Sequence, residues 1–535
     1  MFMNKTSVFL FIALLFMQFV ASSQTPILFK DINQSGGSDP TNITNINGKL
    51  FFKANDGILG EELWFSDGTS EGTKMISDIN LTGSSDPQFL TVNNGMLFFS
   101  ANDGIAGVEL WISDSLGLNA DIVADINPDG SSEPLFLTSV NNLVFFQAND
   151  GSSGRELWKS DGTLEGTEIV ADIFSQGSSE PQYLTNFNGM LYFSAESAQY
   201  GRELWKSDGT IDGTEMIADI NSAGSSDPSF LTVSNGLLFF QAKDDDGIEL
   251  WKSDGTNEGT KIVKNINQSG NSEPEELTDV NGMLFFRATD SQTGVELWKS
   301  DGTENGTVLV KDIRDGAGSN PSNLTSANGI LFFKATDGAT GQELWKSDGT
   351  DEGTTLVKDI NQSGNLNSSP EFITPFENKI YFSATNSTNG YELWESDGTP
   401  ENTFMVADIN LNGSSDPAYF VISNNKLFFS ANDGFAGQEL WTLDKTTHIS
   451  AANLNHQINI FPNPATSAIT IQSTIFGEQA ADLQIVDLNG KKLIEKQITA
   501  GSTTAVINVG KLKSGVYLCS LKFNETRVTS KLFIE

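Results

Sequence analysis

The sequence predicts an all-β chain, and three observations carry that prediction. All nine tryptophans lie in the tripeptide Glu-Leu-Trp, at Trp64, Trp111, Trp158, Trp205, Trp251, Trp298, Trp345, Trp394 and Trp441, spaced 47, 47, 47, 46, 47, 47, 49 and 47 residues apart. Three other marks recur nine times in step with them: an Asp-Ile pair such as Asp31-Ile32 (with Asn265 the one Asn substitute), a Leu-Thr-like pair, and a Phe-Phe or Tyr-Phe pair such as Phe51-Phe52. Nothing between these marks has helical spacing, and Asn-Gly and Asp-Gly turns punctuate it instead. A period this regular means one supersecondary unit repeated in space. Four short antiparallel strands per unit, set around a ring, predict a β-propeller of about nine four-stranded blades followed by a small β-sandwich.

Residues 1–23 read as a secretory signal peptide. Lys5 supplies the charge, Val8 to Val20 is apolar apart from Gln18, and Ala21, Ser22 and Ser23 are small. About 13 apolar residues fall short of the roughly 20 that span a bilayer. Cleavage is expected before Gln24 after passage through the Sec translocon, leaving a mature chain without a transmembrane segment.

The repeat occupies residues 24–445. In one unit, Gln88 to Val92, Met96 to Ala101, Val108 to Ser113 and Ile122 to Ile126 read as the four strands. Asn94-Gly95 forms the first hairpin turn, and Ser-Asp-Gly-Thr-x-x-Gly-Thr, as at Ser160 to Thr167, joins the last two strands in most units. The first unit begins with a lone fourth strand, Ile27 to Ile32, and the last stops after its third. The N-terminal strand can therefore complete the last blade and cover a raw sheet edge. An open stack is the alternative, but a split terminal blade has no purpose there.

These units resemble the Glu-Leu-Trp-x-x-Asp-Gly-Thr repeat family of secreted bacterial proteins, as in Glu156-Leu157-Trp158-Lys159-Ser160-Asp161-Gly162-Thr163. The match degrades at Asp114-Ser115-Leu116 and ends at Trp441 to Asp444. The resemblance implies an extracellular repeat protein and supplies no reaction.

A linker at residues 446–457 leads to residues 458–535, where the composition shifts. From residue 450 onward eight basic side chains outnumber six acidic ones, which with Lys5 set aside leaves −41 on the repeat out of a total of −38. Six strands are expected, Ala468 to Gln472, Ala481 to Asp487, Lys492 to Ile498, Thr504 to Asn508, Gly515 to Phe523 and Arg527 to Phe533, with Asn489-Gly490 as a hairpin turn. The segment is similar to the type A C-terminal sorting domain of the type IX secretion system. Its marks are Pro462, Asn463 and Pro464 at the opening, Gly490 at the hairpin, Gly515 and Tyr517 in Ser-Gly-Val-Tyr, and Lys531 near the end. The resemblance implies passage through the outer membrane, removal of the domain by the system's sortase, and release or attachment at the bacterial surface.

Composition excludes much chemistry. Cys519 is the single cysteine, His448 and His456 are the two histidines, and none lies in the repeat. Ser-His-Asp, Cys-His and zinc-water mechanisms are therefore absent from it. A net charge of −38 does not suit nucleic acid. No catalytic residue and no cofactor is assigned. A carboxylate pair acting on extracellular polysaccharide is the enzymatic alternative, and repeat-breaking acids converging with aromatics would favour it. A structural surface layer is the third reading.

With the Leu-Thr strand innermost, the blade-to-blade crossings share a face with the loops joining strands two and three. The crossings bring Asp39, Asp86, Glu133, Glu180, Asp227, Glu273 and Asp416, with Asn320 and Ser369 as gaps. The loops add Asp56, Asp103, Asp150, Asp290, Asp337 and Asp433. Asp39, Asp86, Asp227 and Asp416 are Ca²⁺ candidates, although Asp before Pro or Gly is first of all a turn former. The tryptophans are expected between blades. Single-copy departures mark where a unique site would lie: Glu196 to Tyr200, Lys243 to Asp246, Arg287, Arg314-Asp315 and Asn365 to Ser369. The expectation is a non-enzymatic binding or adhesion module, outside the cell or on its outer surface, for a glycan or protein ligand.

Overall fold

Leu at the centre of every Glu-Leu-Trp points to one face of its strand, and Glu and Trp to the other, because side chains alternate. Both faces are apolar enough to be covered, so each sheet must be sandwiched between neighbours. The computed structural model, which describes residues 25–443 and, in the C-terminal segment, 459–461, 464–472, 481–486, 491–499, 504–523 and 526–534, shows this arrangement. Contacts divide the chain into two units, one spanning Ser23–Lys445 and the other containing Thr446–Glu535.

Among the described residues the first unit consists of nine four-stranded antiparallel sheets. Blade 2 is representative: Gln88–Asn93 innermost, then Met96–Asn102, Val108–Ser113 and Ala120–Ala124. The first strand of each blade touches those of the blades on either side, and blade 1 (from Thr41–Ile46) meets blade 9 (from Ala418–Ser423), so the sheets close into a ring. Blade 9 takes its outermost strand from Pro26–Lys30, paired with Gln438–Leu443. Asn45 and Asn424 staple the closure by donating to the carbonyls of Ile422 and Gly48 at 2.7 and 2.6 Å.

Nine apolar clusters fill the nine seams. Between blades 1 and 2, Phe51 and Leu63 meet Leu97, Phe99 and Trp111; the last seam joins Phe428 and Leu440 to Leu50, Phe52 and Trp64. The Phe-Phe pair thus serves two seams, and each Trp faces the preceding blade, between blades as the sequence implies. Burying each such side chain contributes about 1.5–3 kcal/mol.

The outermost strands end earlier than the sequence suggests. Blade 2 stops at Ala124 rather than Ile126, and the N-terminal strand at Lys30 rather than Ile32. The reason is the Glu of Glu-Leu-Trp, which is fully buried in all nine blades. Glu109 takes the N–H of Ile126 at 3.0 Å, the N–H of Ser132 at 2.8 Å and the Ser132 hydroxyl at 2.5 Å. Glu439 does the same for Ile32 and Ser38 across the ring closure. One carboxylate therefore bends Asp-Ile out of the ladder and clamps the following crossing. In blade 7 the stretched segment keeps this latch: Glu343 holds Ile360 and Ser368.

On the opposite face the Ser-Asp-Gly-Thr turns are internally satisfied, as in Asp161, which accepts from the Thr163 N–H and hydroxyl at 2.9 and 2.7 Å. Their Gly carbonyls accept from the Lys after Trp in the preceding blade: Lys159 reaches Gly209 at 2.7 Å and Lys299 reaches Gly349 at 2.8 Å.

In the second unit, Asn459–Phe461, Ala468–Gln472 and Thr504–Asn508 form one sheet. Lys492–Ile498, Ala481–Val486, Gly515–Phe523 and Thr526–Ile534 form the other. Ile469, Ile471 and Ile507 of the first sheet pack on Leu483, Cys519 and Leu532 of the second, which makes a β-sandwich. Burial pushes the Cys519 thiol up to about 12. The Asn459–Phe461 strand was not foreseen.

Candidate functional site

Each innermost strand contains an irregularity that the Leu-Thr mark conceals. In blade 2, Gln88 faces Ser100 and Thr91 faces Phe98, so two residues oppose one: a β-bulge. All nine blades share it, and its first residue has positive φ throughout: Asn42, Phe89, Phe136, Tyr183, Phe230, Glu276, Asn323, Phe372 and Tyr419, at 54–58°. A left-handed conformation costs a residue with a Cβ roughly 1–2 kcal/mol, least for Asn and Asp. Asn42 and Asn323 are what the backbone alone would select. Their side-chain amides bond the carbonyls of Pro87 and Pro370 in the next crossing, at 3.4 and 3.1 Å.

Six aromatics occupy this position against that preference. Five of them remain 37–44% exposed: Phe136, Tyr183, Phe230, Phe372 and Tyr419. They meet across seams as Phe89–Phe136, Tyr183–Phe230 and Phe372–Tyr419, with ring centroids 6.0, 5.7 and 5.8 Å apart. Thr two residues later holds the arrangement: the Thr138 hydroxyl donates between the Phe136 and Leu184 carbonyls at 2.9 and 3.3 Å, and Thr91 and Thr185 repeat this. The result is a circlet of partly exposed aromatic rings on the innermost strands of the propeller, three residues inside the crossings.

Two concavities lie against the circlet. One, of about 390 Å³, is lined by Tyr183, Phe230, Thr232, Glu275 and Glu276. The other, of about 380 Å³, is lined by Asn42, Gln88, Phe89 and Thr91.

The acidic residues are placed as follows. Asp39, Asp86, Asp227 and Asp416 sit on four separate crossings, each with positive φ before its Pro. Among the described residues no three acidic, His or Cys side chains converge as a metal cage. Asp86 is engaged by Lys53 at 2.8 Å; burial alone would raise its carboxyl, but the ammonium and Gln88 hold it below the usual range. Arg155 pairs with Glu133, and Arg202 with Glu180 at 3.7 Å. Asp416 is pushed up by burial. The loop acids are turn formers: Asp103 accepts from the N–H groups of Ile105 and Ala106, and Asp433 from those of Phe435 and Ala436.

Of the single-copy departures, only Arg287 adjoins the circlet; its Nε donates to Glu275 at 3.0 Å and its Nη2 to the same oxygen. Glu196 lies opposite Arg202 in the strand register, and Asp245-Asp246 forms the turn between Asp244 and Gly247; both lie at hairpin ends. The circlet itself was missed. Its signal was legible as two successive apolar residues, Phe89-Leu90 or Phe230-Leu231, which break strand alternation and announce a bulge.

In the second unit, Pro464 is exposed and Ala465 donates to the Phe533 carbonyl at 2.9 Å, tying the opening to the final strand. The Tyr517 hydroxyl donates to the Lys513 carbonyl at 2.7 Å, Gly515 heads its strand, and Lys531 lies opposite Leu518. Pro462, Asn463 and Gly490 lie outside the described residues, as do residues 1–23, where a signal peptide is expected. No described helix is long and apolar enough to cross a membrane.

The chain is similar in structure to puromycin hydrolase and to a prolyl endopeptidase. A mutant puromycin hydrolase complexed with PGG shares 15% identity at a TM-score of 0.34, covering 64% of this chain and 59% of that one. A second puromycin hydrolase structure gives 13%, 0.32, 66% and 60%, and a prolyl endopeptidase 13%, 0.34, 72% and 52%. The chain thus spans half to three fifths of the length of these enzymes, at a similarity that carries no argument about activity. No curated protein matches the chain. Residues 459–535 match the family described as secretion system C-terminal sorting domain. That segment is a sorting domain of the type IX secretion system, and the chain that carries it is a secreted or cell-surface protein served by that machinery.

Proposed function

We propose that the propeller is a non-enzymatic binding or adhesion module that the sorting domain delivers to the outer surface, where the system's sortase removes the domain. The observation that supports binding is the aromatic circlet. Six large rings stand where the backbone favours Asn, and more than a third of the surface of five of them is left open. Strain of this kind persists where something over-determines it, and it gathers at ligand clamps. Partly exposed aromatic rings around an inner wall suit the apolar faces of sugar rings, so the ligand is an extracellular glycan.

Catalysis is the second reading, because Glu275 and Glu276 do converge with Tyr183 and Phe230. Glycoside hydrolysis needs two working carboxylates. Arg287 grips Glu275 through two nitrogens, which favours binding over chemistry. The test is retention of the secreted chain on a panel of polysaccharides, with the soluble fraction examined by mass spectrometry. Retention with intact chains is expected, and shortened chains would replace the binding module with an enzyme.

A further inference from the structure

The circlet is not uniform, and its one acidic member sits where a charged ligand group would be read. Glu276 occupies the bulge position that Phe or Tyr fills in six other blades, with φ 58°. One of its carboxylate oxygens takes the Leu324 N–H at 3.3 Å, and the other has no protein partner among the described residues. Both Glu275 and Glu276 line the concavity that Tyr183 and Phe230 also line. Arg287 balances one of the two carboxylates, so the concavity keeps one net negative charge. The concavity on the blade 1 side has the same strand architecture and a similar size, yet no charged residue lines it.

From this contrast, and resting on the glycan-binding reading above, we infer that the concavity between blades 4 and 6 is a subsite for a glycan bearing a free, protonated amine. A polymer of 2-amino-2-deoxyhexose is the ligand class. A ring face stacks on Phe230 or Tyr183, and the ammonium sits between the aromatic faces and the open oxygen of Glu276. Cations are attracted to the faces of such rings, and a charge-assisted hydrogen bond to a carboxylate is about twice as strong as a neutral one. N-acetylation removes the charge and adds bulk at the same atom, so the acetylated polymer loses both contributions.

The experiment uses the full secreted chain at pH 6 and physiological ionic strength. A glucosamine tetramer, its N-acetylated counterpart and a neutral glucose tetramer are titrated calorimetrically. The glucosamine tetramer is expected to bind about tenfold more tightly than the other two, a factor set by one charge-assisted contact with an aromatic face. Glu276→Gln should reduce that preference to near unity, and Phe230→Ala should weaken all three. Equal binding of the three tetramers would overturn the amine subsite and leave the glycan reading standing. Binding of none would overturn both. A preference that survives Glu276→Gln would come from long-range attraction to the acidic chain, and it would also overturn the subsite.

Discussion

Two sets of residues recur nine times in the propeller, and they behave in opposite ways. The Glu of Glu-Leu-Trp is the same residue in every blade, fully buried, with each copy clamping a crossing. The first residue of the inner bulge keeps one backbone conformation in every blade but changes identity: six aromatics, two Asn and one Glu. A position that is chemically constant and buried builds the blade. A position that is geometrically constant, chemically varied and open to solvent is free to meet a ligand. The backbone of the bulge belongs to the scaffold, and its side chains do not.

The largest effect should come from breaking the scaffold half. Glu296→Ala leaves the N–H groups of Ile313 and Ser319 and the Ser319 hydroxyl without an acceptor. Unmet buried polar groups cost about 1–3 kcal/mol each, so a loss of about 3 kcal/mol is expected in urea unfolding. A change within a few tenths of a kcal/mol would remove the latch from the account. In the other half, Phe230→Asn should weaken glycan binding by about tenfold, on the scale of one stacked ring. It should leave stability unchanged or raise it by up to about 1 kcal/mol, because Asn relieves the left-handed strain. A large loss of stability with unchanged binding would show that the rings are core.

The pH response sharpens the contrast further. Burial raises every latch Glu above its usual value near 4.5, to about 7 in Glu203, Glu249, Glu296, Glu343 and Glu392. The folded chain therefore binds extra protons between those values. Because burial penalises the ionised form, the contribution of these groups to stability is fully present below about 4.5 and is lost as pH rises through 7. The denaturation midpoint should be higher at pH 5 than at pH 8, and Glu296→Gln should flatten the slope. The turn carboxylates Asp161, Asp208 and Asp301 are held low, chiefly by the Thr hydroxyl and N–H, so their contribution falls away at pH values under about 4. The smallest effect is expected from Lys299→Met, which removes one inter-blade hydrogen bond to Gly349 and should cost about 1 kcal/mol or less by the same unfolding assay.

Much of this molecule could be read before any coordinates. Turn chemistry and strand alternation are local, so the hairpins, the split last blade and the interblade Trp all followed from the repeat. What escaped was non-local. Glu109 finds its partners 17 and 23 residues downstream, and only the folded crossing brings Ile126 and Ser132 to it. The repeat still held a clue, since Glu shares its strand face with Trp and so had to be buried and bonded. The circlet escaped because acidity drew attention to the crossings, whose carboxylates turn out to be spread over separate blades or already engaged. Glu276 could not be chosen from 63 acids without knowing that Phe230 and Tyr183 face the same space.

The strand from Pro26 to Lys30 has a consequence for the order of events during folding. Ile32 and Glu439 are 407 positions apart, yet they share one hydrogen bond. Closing so long a loop forfeits chain entropy that no local contact returns, whereas each internal blade is assembled from neighbours in sequence. Eight blades can form as the chain emerges, and the ninth waits for both ends. Until then the last sheet presents an unpaired strand edge, which another copy could extend. In pulsed hydrogen exchange, the Ile32 amide should gain protection later than that of its blade 2 equivalent, Ile126.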